Sequence, residues 1–191
     1  MRNLHLIFVL ATSLLPLATA QAAPADLPET GQTTCTDAVG ATISCVGTGQ
    51  DGDHLAGVAW PSPRFVVGTG ATAACVTDNL TGLMWMGAPE FLPDAWMSAL
   101  TIANGLTLCG FSDWRLPNVN ELESLVNSEV ANQANFLNAQ GFAGVQAGTY
   151  WSSSSYADGA ELAWGVGLSA GQVTGGSKSS NFYIWPVRAG Q

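Results

Sequence analysis

Apolar residues recur along this chain with two periods, and the change from one to the other divides it. Between residues 94 and 126 the step is helical. Trp96, Ala99, Leu100 and Ala103 fall at i, i+3, i+4 and i+7, and Val119, Leu122, Leu125 and Val126 give a second stripe. Asp94 offers an N-cap to the first run and Asn104-Gly105 a stop. Asn118 stands three residues before Glu121, the spacing at which each side chain accepts from the other's free backbone N–H, so the second helix is expected to start there. Pro117 disfavours helix at Leu116, which makes Trp114-Arg115-Leu116 extended.

On either side of this middle the pattern shortens and alternates. Residues 64–67 read as a strand broken by Gly68-Thr69-Gly70, and 75–77 with 83–86 read as a hairpin across the polar run 78–82. In the last third, 150–153, 162–168, 172–174 and 183–188 are expected strands. Trp164, Val166 and Leu168 share one face of the second, and Pro186 gives the last an edge position or a bulge. Residues 128–148 carry Phe136, Leu137 and Phe142 among Asn, Gln, Ala and Gly, and are expected to form a long irregular loop pinned by those apolar residues. Helices in the middle and strands mostly at both ends predict an α+β fold.

The first residues change the compartment. Arg2, an apolar run over 6–17 and Ala18-Thr19-Ala20 give the pattern of a cleaved secretory signal over residues 1–20. Residues 21–57, without sustained periodicity, are read as a linker and a first disulfide loop, and 58–191 as one domain. The expected location is secreted, periplasmic or cell surface, with no membrane insertion after cleavage. Cys35, Cys45, Cys75 and Cys109 then make two disulfides, leaving none over. Three pairings satisfy that count; Cys35 with Cys45 and Cys75 with Cys109 is the expected one.

The formal net charge is −9. Loss of Arg2 leaves Arg64, Arg115, Lys178 and Arg188 against 14 carboxylates, that is −10. Nucleic acid and anionic membranes need the opposite sign and are excluded as partners.

Four groups of residues carry candidate chemistry. Asp113, Trp114, Arg115 and Glu121 are expected to be structural, a guanidinium fork fixing the turn into the second helix. Trp151, Ser153, Ser155 and Tyr183, on the polar C-terminal strands, are the candidate ligand-binding set; Trp85 and Trp164 are expected in the core. Asp51 and Asp53 form a candidate cation site with calcium as the cofactor, although Leu55 stands where the helix-loop-helix calcium pattern needs a ligand. A hydrolase would use His54 as base and one of Ser152 to Ser155 as nucleophile, without the Gly-x-Ser-x-Gly turn that usually presents such a serine.

Taken in order, Gly49-Gln50-Asp51-Gly52-Asp53, the run 76–85, Asp113-Trp114-Arg115-Leu116-Pro117 with Glu121-Leu122, Tyr150-Trp151-Ser152-Ser153, Ala163-Trp164 and Trp185-Pro186-Val187-Arg188 resemble the Lcl C-terminal domain family of bacterial surface and secreted proteins. The resemblance implies a C-type-lectin-like fold: a twisted antiparallel sheet with two flanking helices and long loops. It implies an exported, non-enzymatic recognition or adhesion module that binds an extracellular glycan or a surface protein. The alternatives are an enzyme of the formylglycine-generating or hydrolase type, or a structural subunit whose edge strands pair with neighbours. The adhesin that names the family is taken to bind sulfated polysaccharides; a surface at this charge repels a polyanion unless its cations cluster.

Overall fold

The computed structural model describes residues 27–190. The expected signal segment lies outside them, as does the start of the expected linker. The elements are β1 (Cys35–Thr36), β2 (Thr42–Ile43), α1 (Asp51–His54), β3 (Phe65–Val67), β4 (Cys75–Asp78), β5 (Leu83–Met86), α2 (Trp96–Asn104), α3 (Val119–Glu123), α4 (Gln133–Ala139), β6 (Thr149–Ser155), β7 (Leu162–Gly167), β8 (Gln172–Ser177) and β9 (Val187–Ala189). They build a small β1-β2 pair, a four-stranded sheet in the order β3-β4-β5-β9 and a three-stranded sheet β6-β7-β8. All pairings within these sheets are antiparallel. The fold is α+β, as the periodicities predict.

The two larger sheets are joined by the last strand region and by the stretch before α3. The chain from 182 to 189 does not run as one strand. Tyr183 exchanges backbone bonds with Thr149 and Trp151 at the side of β6, and after Pro186 the chain crosses to β5 as β9. Proline has no N–H for a ladder, so the change of sheet falls where the chain cannot donate. Alongside it, Arg115 trades both backbone bonds with Val187 (3.0 and 2.9 Å), and Pro117 O accepts from Ser153 N at 2.7 Å. The extended Trp114-Arg115-Leu116 segment therefore ties β9 to β6.

Two apolar clusters result. Trp85, Trp185, Phe142, Tyr150, Leu122, Leu125, Leu137 and Val166 form the larger, with α3 and α4 contributing. Ala99, Ala103, Leu116, Trp151, Ala163 and Ile184 form the smaller, under α2. Val166 and Ala163 point from β7 into different clusters, so the middle strand of the three-stranded sheet is covered on both faces.

Several expectations need correction. The run 128–148 is not an irregular loop: Asn132 caps α4 by accepting from Asn135 N at 2.9 Å, and Phe136 and Leu137 are helical. The first long helix starts at Trp96, two residues after Asp94, whose carboxylate bonds Ala95 N and Ser98 Oγ beside the helix start. The described part of the expected linker is docked. Pro28 bridges Val58, Trp60 Nε1 donates to Glu29 O at 2.7 Å, and the Glu129 carboxylate accepts from Thr33 N and Thr34 N at 2.7 and 3.1 Å. Both expected disulfides are present, Cys35–Cys45 and Cys75–Cys109.

Candidate functional site

The structural group behaves as its residue types require. Arg115 forms a fork on Glu121 (NH1 to Oε2 2.8 Å, NH2 to Oε1 2.7 Å) and also donates to Leu116 O. Glu121 Oε2 accepts in addition from Asn118 N, and Asn118 Oδ1 from Glu121 N, both at 2.8 Å, which completes the capping box. Asp113 takes a different partner, Arg188, at 2.7 and 3.1 Å, and the Arg188 guanidinium lies 3.7 Å over the Phe111 ring. Trp114 is 2% exposed and donates Nε1 to Leu108 O. Arg64, read only as a strand start in the sequence, is buried on buried Asp78 and packs against Trp60. Lys178 Nζ donates to Ser155 Oγ and Ala160 O. Every lysine and arginine of the described residues therefore has a bonding partner within the chain.

The candidate ligand set does not converge. Trp151 is fully buried: it stacks 4.2 Å from Phe182 and donates Nε1 to Asp94 O at 2.8 Å. It offers no face to a ligand, because α2 and Phe182 need its ring as core. Ser153 donates to Pro117 O and Ser155 accepts from Lys178, both at the far end of β6. Ser152 donates to Trp164 O and Ser154 accepts from Val119 N, so all four serine hydroxyls of this run are bonded within the fold. Tyr183 alone of the set lines a concavity.

That concavity lies under the irregular loop from β5 to α2. The loop is tied at one end by Gly87, which donates to Ala74 O and accepts from Ala143 N, and at the other by Asp94, which exchanges bonds with Phe182. Between the ties, Pro89 and Pro93 lack the N–H that a strand would need, so the loop stands off the body. Leu92 is 84% exposed on it. A cleft of about 380 Å³ is lined by Glu90, Phe91, Leu92, Gln146 and Tyr183 among others. The Tyr183 ring lies 5.2 Å from Tyr150 and over Gly148, where a Cβ would come within 2.5 Å of the ring. Tyr150 accepts from Gln146 N and its phenol is pushed up to about 12, chiefly by burial. A second, apolar hollow of about 240 Å³, lined by Val67, Val76, Met86 and Ala143, shares Glu90 with the first. A wider groove of about 530 Å³ runs between residues 27–30 and α3. Sequence reading missed the cleft; its signal was an apolar pair, Phe91-Leu92, between two prolines.

Asp51 and Asp53 are the first and third residues of the one-turn α1, and each is bonded to the chain before it. Asp51 accepts from the Thr30 hydroxyl, and Asp53 Oδ2 accepts from Gly49 N at 3.1 Å. The Gly49 N–H leads the groups that hold the Asp53 carboxyl below its usual range, against the opposing effect of burial. Among the described residues no group of three or more His, Cys, Asp or Glu side chains is placed to hold a metal ion. No described helix is long and apolar enough to cross a membrane.

The family model of the Lcl C-terminal domain matches residues 74–188, which is 115 of the 191 positions. No curated protein matches the chain.

Proposed function

The chain belongs to the Lcl C-terminal domain family, and from that premise we propose that it is an exported recognition module whose ligand enters the cleft under the β5–α2 loop. The two disulfides fit an oxidising compartment, and the signal read in residues 1–20 would supply the route there. The reading rests above all on Leu92, 84% exposed in a cleft that also holds the Tyr183 ring. With Phe91, Pro89 and Pro93 they give the concavity a mostly apolar lining that includes an aromatic face and a few polar groups, the arrangement found at small-ligand sites.

The ligand is an uncharged, hydroxyl-rich molecule, a glycan without sulfate. Rings and aliphatic groups cover the apolar faces of a sugar, while the Gln146 amide donates to and accepts from its hydroxyls and the Glu90 carboxylate accepts from them. Polyanions are disfavoured because the three arginines of the described residues are all paired with carboxylates of the same chain. A glycan array probed with and without chelator tests the reading. Binding to neutral glycans, lost in Leu92→Ser and Gln146→Ala variants of unchanged melting temperature, is the expected result. Binding that survives both changes, or that is confined to sulfated glycans, overturns it.

A further inference from the structure

β8 is the last strand of its sheet, and no strand of the described residues pairs with its outer side. Antiparallel ladders send the backbone groups of alternate residues to opposite sides. Lys178 N bonds Glu161 O, which puts the groups of Gly176, Thr174 and Gln172 toward β7 and leaves those of Val173 and Gly175 facing outward. The first four residues of the strand are exposed. The other edges are short or covered. β3 has three residues, Arg115 closes the outer side of β9, and Tyr183 with Pro117 closes that of β6. Folded proteins guard such edges with charge, proline or a bulge; Gln172-Val173-Thr174-Gly175-Gly176-Ser177 carries no charge and no proline, and its pairing with β7 is unbroken.

The surroundings of the edge are specific. Gly175 has no side chain where the Tyr156 ring passes 3.5 Å from the site of its absent Cβ, and Tyr156 stacks 4.6 Å from Trp164. Val173 stands next to them on the same face, 36% exposed. At the C-terminal end of β8, Asp158 and Glu161 lie exposed in the β6–β7 turn, and neither belongs to an ion pair among the described residues. The one nearby cation, Lys178, is bonded to Ser155 and Ala160 and lies over the Trp96 ring.

We propose that β8 is a docking edge which takes an extended segment of a partner protein as the fourth strand of its sheet, with a basic residue of that segment beside Asp158 and Glu161. Main-chain bonds from Val173 and Gly175 supply the attachment, and the Val173, Tyr156 and Trp164 surface receives alternate apolar side chains of the added strand. Charge selects a foreign segment over a second copy of the chain, since every copy carries the same strongly negative net charge. This edge and the cleft under the β5–α2 loop have no residue in common.

The test is an NMR titration of the oxidised protein with acetyl-Lys-Thr-Val-Thr-Val-Thr-Lys-amide. The amides of Val173 and Gly175 are expected to shift and their hydrogen exchange to slow by roughly tenfold or more. At low salt the same peptide with Glu at both ends should bind about tenfold more weakly. Methylating alternate backbone nitrogens of the peptide should abolish the effect in the unaltered protein. Val173→Pro, which removes an outward N–H and leaves the β7 ladder whole, should do the same, and Leu92→Ser should change nothing. No shift at millimolar peptide, shifts confined to other residues, or equal binding of the methylated peptide overturns the proposal. So does a dimer that forms without peptide and is lost in Val173→Pro, because the edge would then belong to a second copy.

Discussion

Asp78 shows how much one buried side chain can hold. Its two oxygens accept from Arg64 Nε and NH2 at 3.0 and 2.9 Å, from Leu80 N at 3.0 Å and from the Thr81 hydroxyl at 2.9 Å, and both partners of the ion pair are nearly inaccessible. One carboxylate thus joins β3 to the β4–β5 turn. Arg64→Met leaves that charge buried without its partner and should lower unfolding free energy by about 3 kcal/mol, read as a reduced urea midpoint at constant slope. The Arg115–Glu121 pair is different, with 41% of the arginine side chain exposed, and solvent screening keeps its own contribution below about 1 kcal/mol. Glu121 matters through its titration as well. Burial raises its carboxyl, but the Arg115 bond, the Asn118 N–H and the Arg115 charge together bring it below the ordinary 4.5. A folded-state value below the unfolded one contributes stability that is whole above pH 4.5 and is lost as pH falls through the lowered value. Denaturation midpoints should therefore hold from neutrality down to that pH and then drop, and Glu121→Gln should shallow the drop. A drop of unchanged steepness in Glu121→Gln would show that other carboxylates carry it; Asp113, held low by Arg188, and Glu129, held low first by the Thr33 N–H, act in the same direction.

At the level of elements, the local signals that succeeded are those whose partners lie within a few residues. The Asn118–Glu121 capping box forms as its spacing requires, and Asn118→Ala should cost about 1 kcal/mol by removing the bond to Glu121 N, measurable by thermal unfolding. The hairpin across residues 78–82, the break at Gly68 and the stripe of α2 are likewise local. α4 was hidden because its run of Gln, Ala and Asn has weak amphipathic contrast, and its decisive residue is polar. Gln133 is 1% exposed, and its amide accepts from Asn127 N and donates to Asn127 O and Val130 O. An amide that reads as loop in a sequence is here the plug that satisfies the α3–α4 connection. The division of the last strand at Pro186 was legible as an interruption, but its outcome, a change of sheet, depends on β5 and β6 being already in place.

For the whole molecule the two disulfides have unequal reach. Cys35–Cys45 closes a separation of 10 residues within the docked N-terminal segment, whereas Cys75–Cys109 closes 34 and joins β4 to the segment after α2. Loop-closure entropy gives about 3 and about 4 kcal/mol for them. Replacing the first pair by alanine should loosen residues 27–57 and leave the rest, visible as faster hydrogen exchange confined to that segment; replacing the second should lower the melting temperature of the entire domain. The candidate site was the least legible part. Of the four residues chosen for a ligand, Tyr183 lines the cleft and Trp151 became core, because a ring next to a serine run gives no sign of which face Phe182 and α2 will cover. The sequence by itself determined the α+β class, the capped helix, the even count of cysteines, the acidic balance and the family, all of which follow from spacing, composition or order along the chain, while it left three cysteine pairings open. Only the tertiary structure decided which arginine meets which carboxylate, that the loop with Leu92 and Tyr183 line one cleft, and that the outer side of β8 is left unpaired among the described residues. Those facts depend on contacts between residues far apart in the chain, whose side chains can be satisfied in many ways until packing selects one.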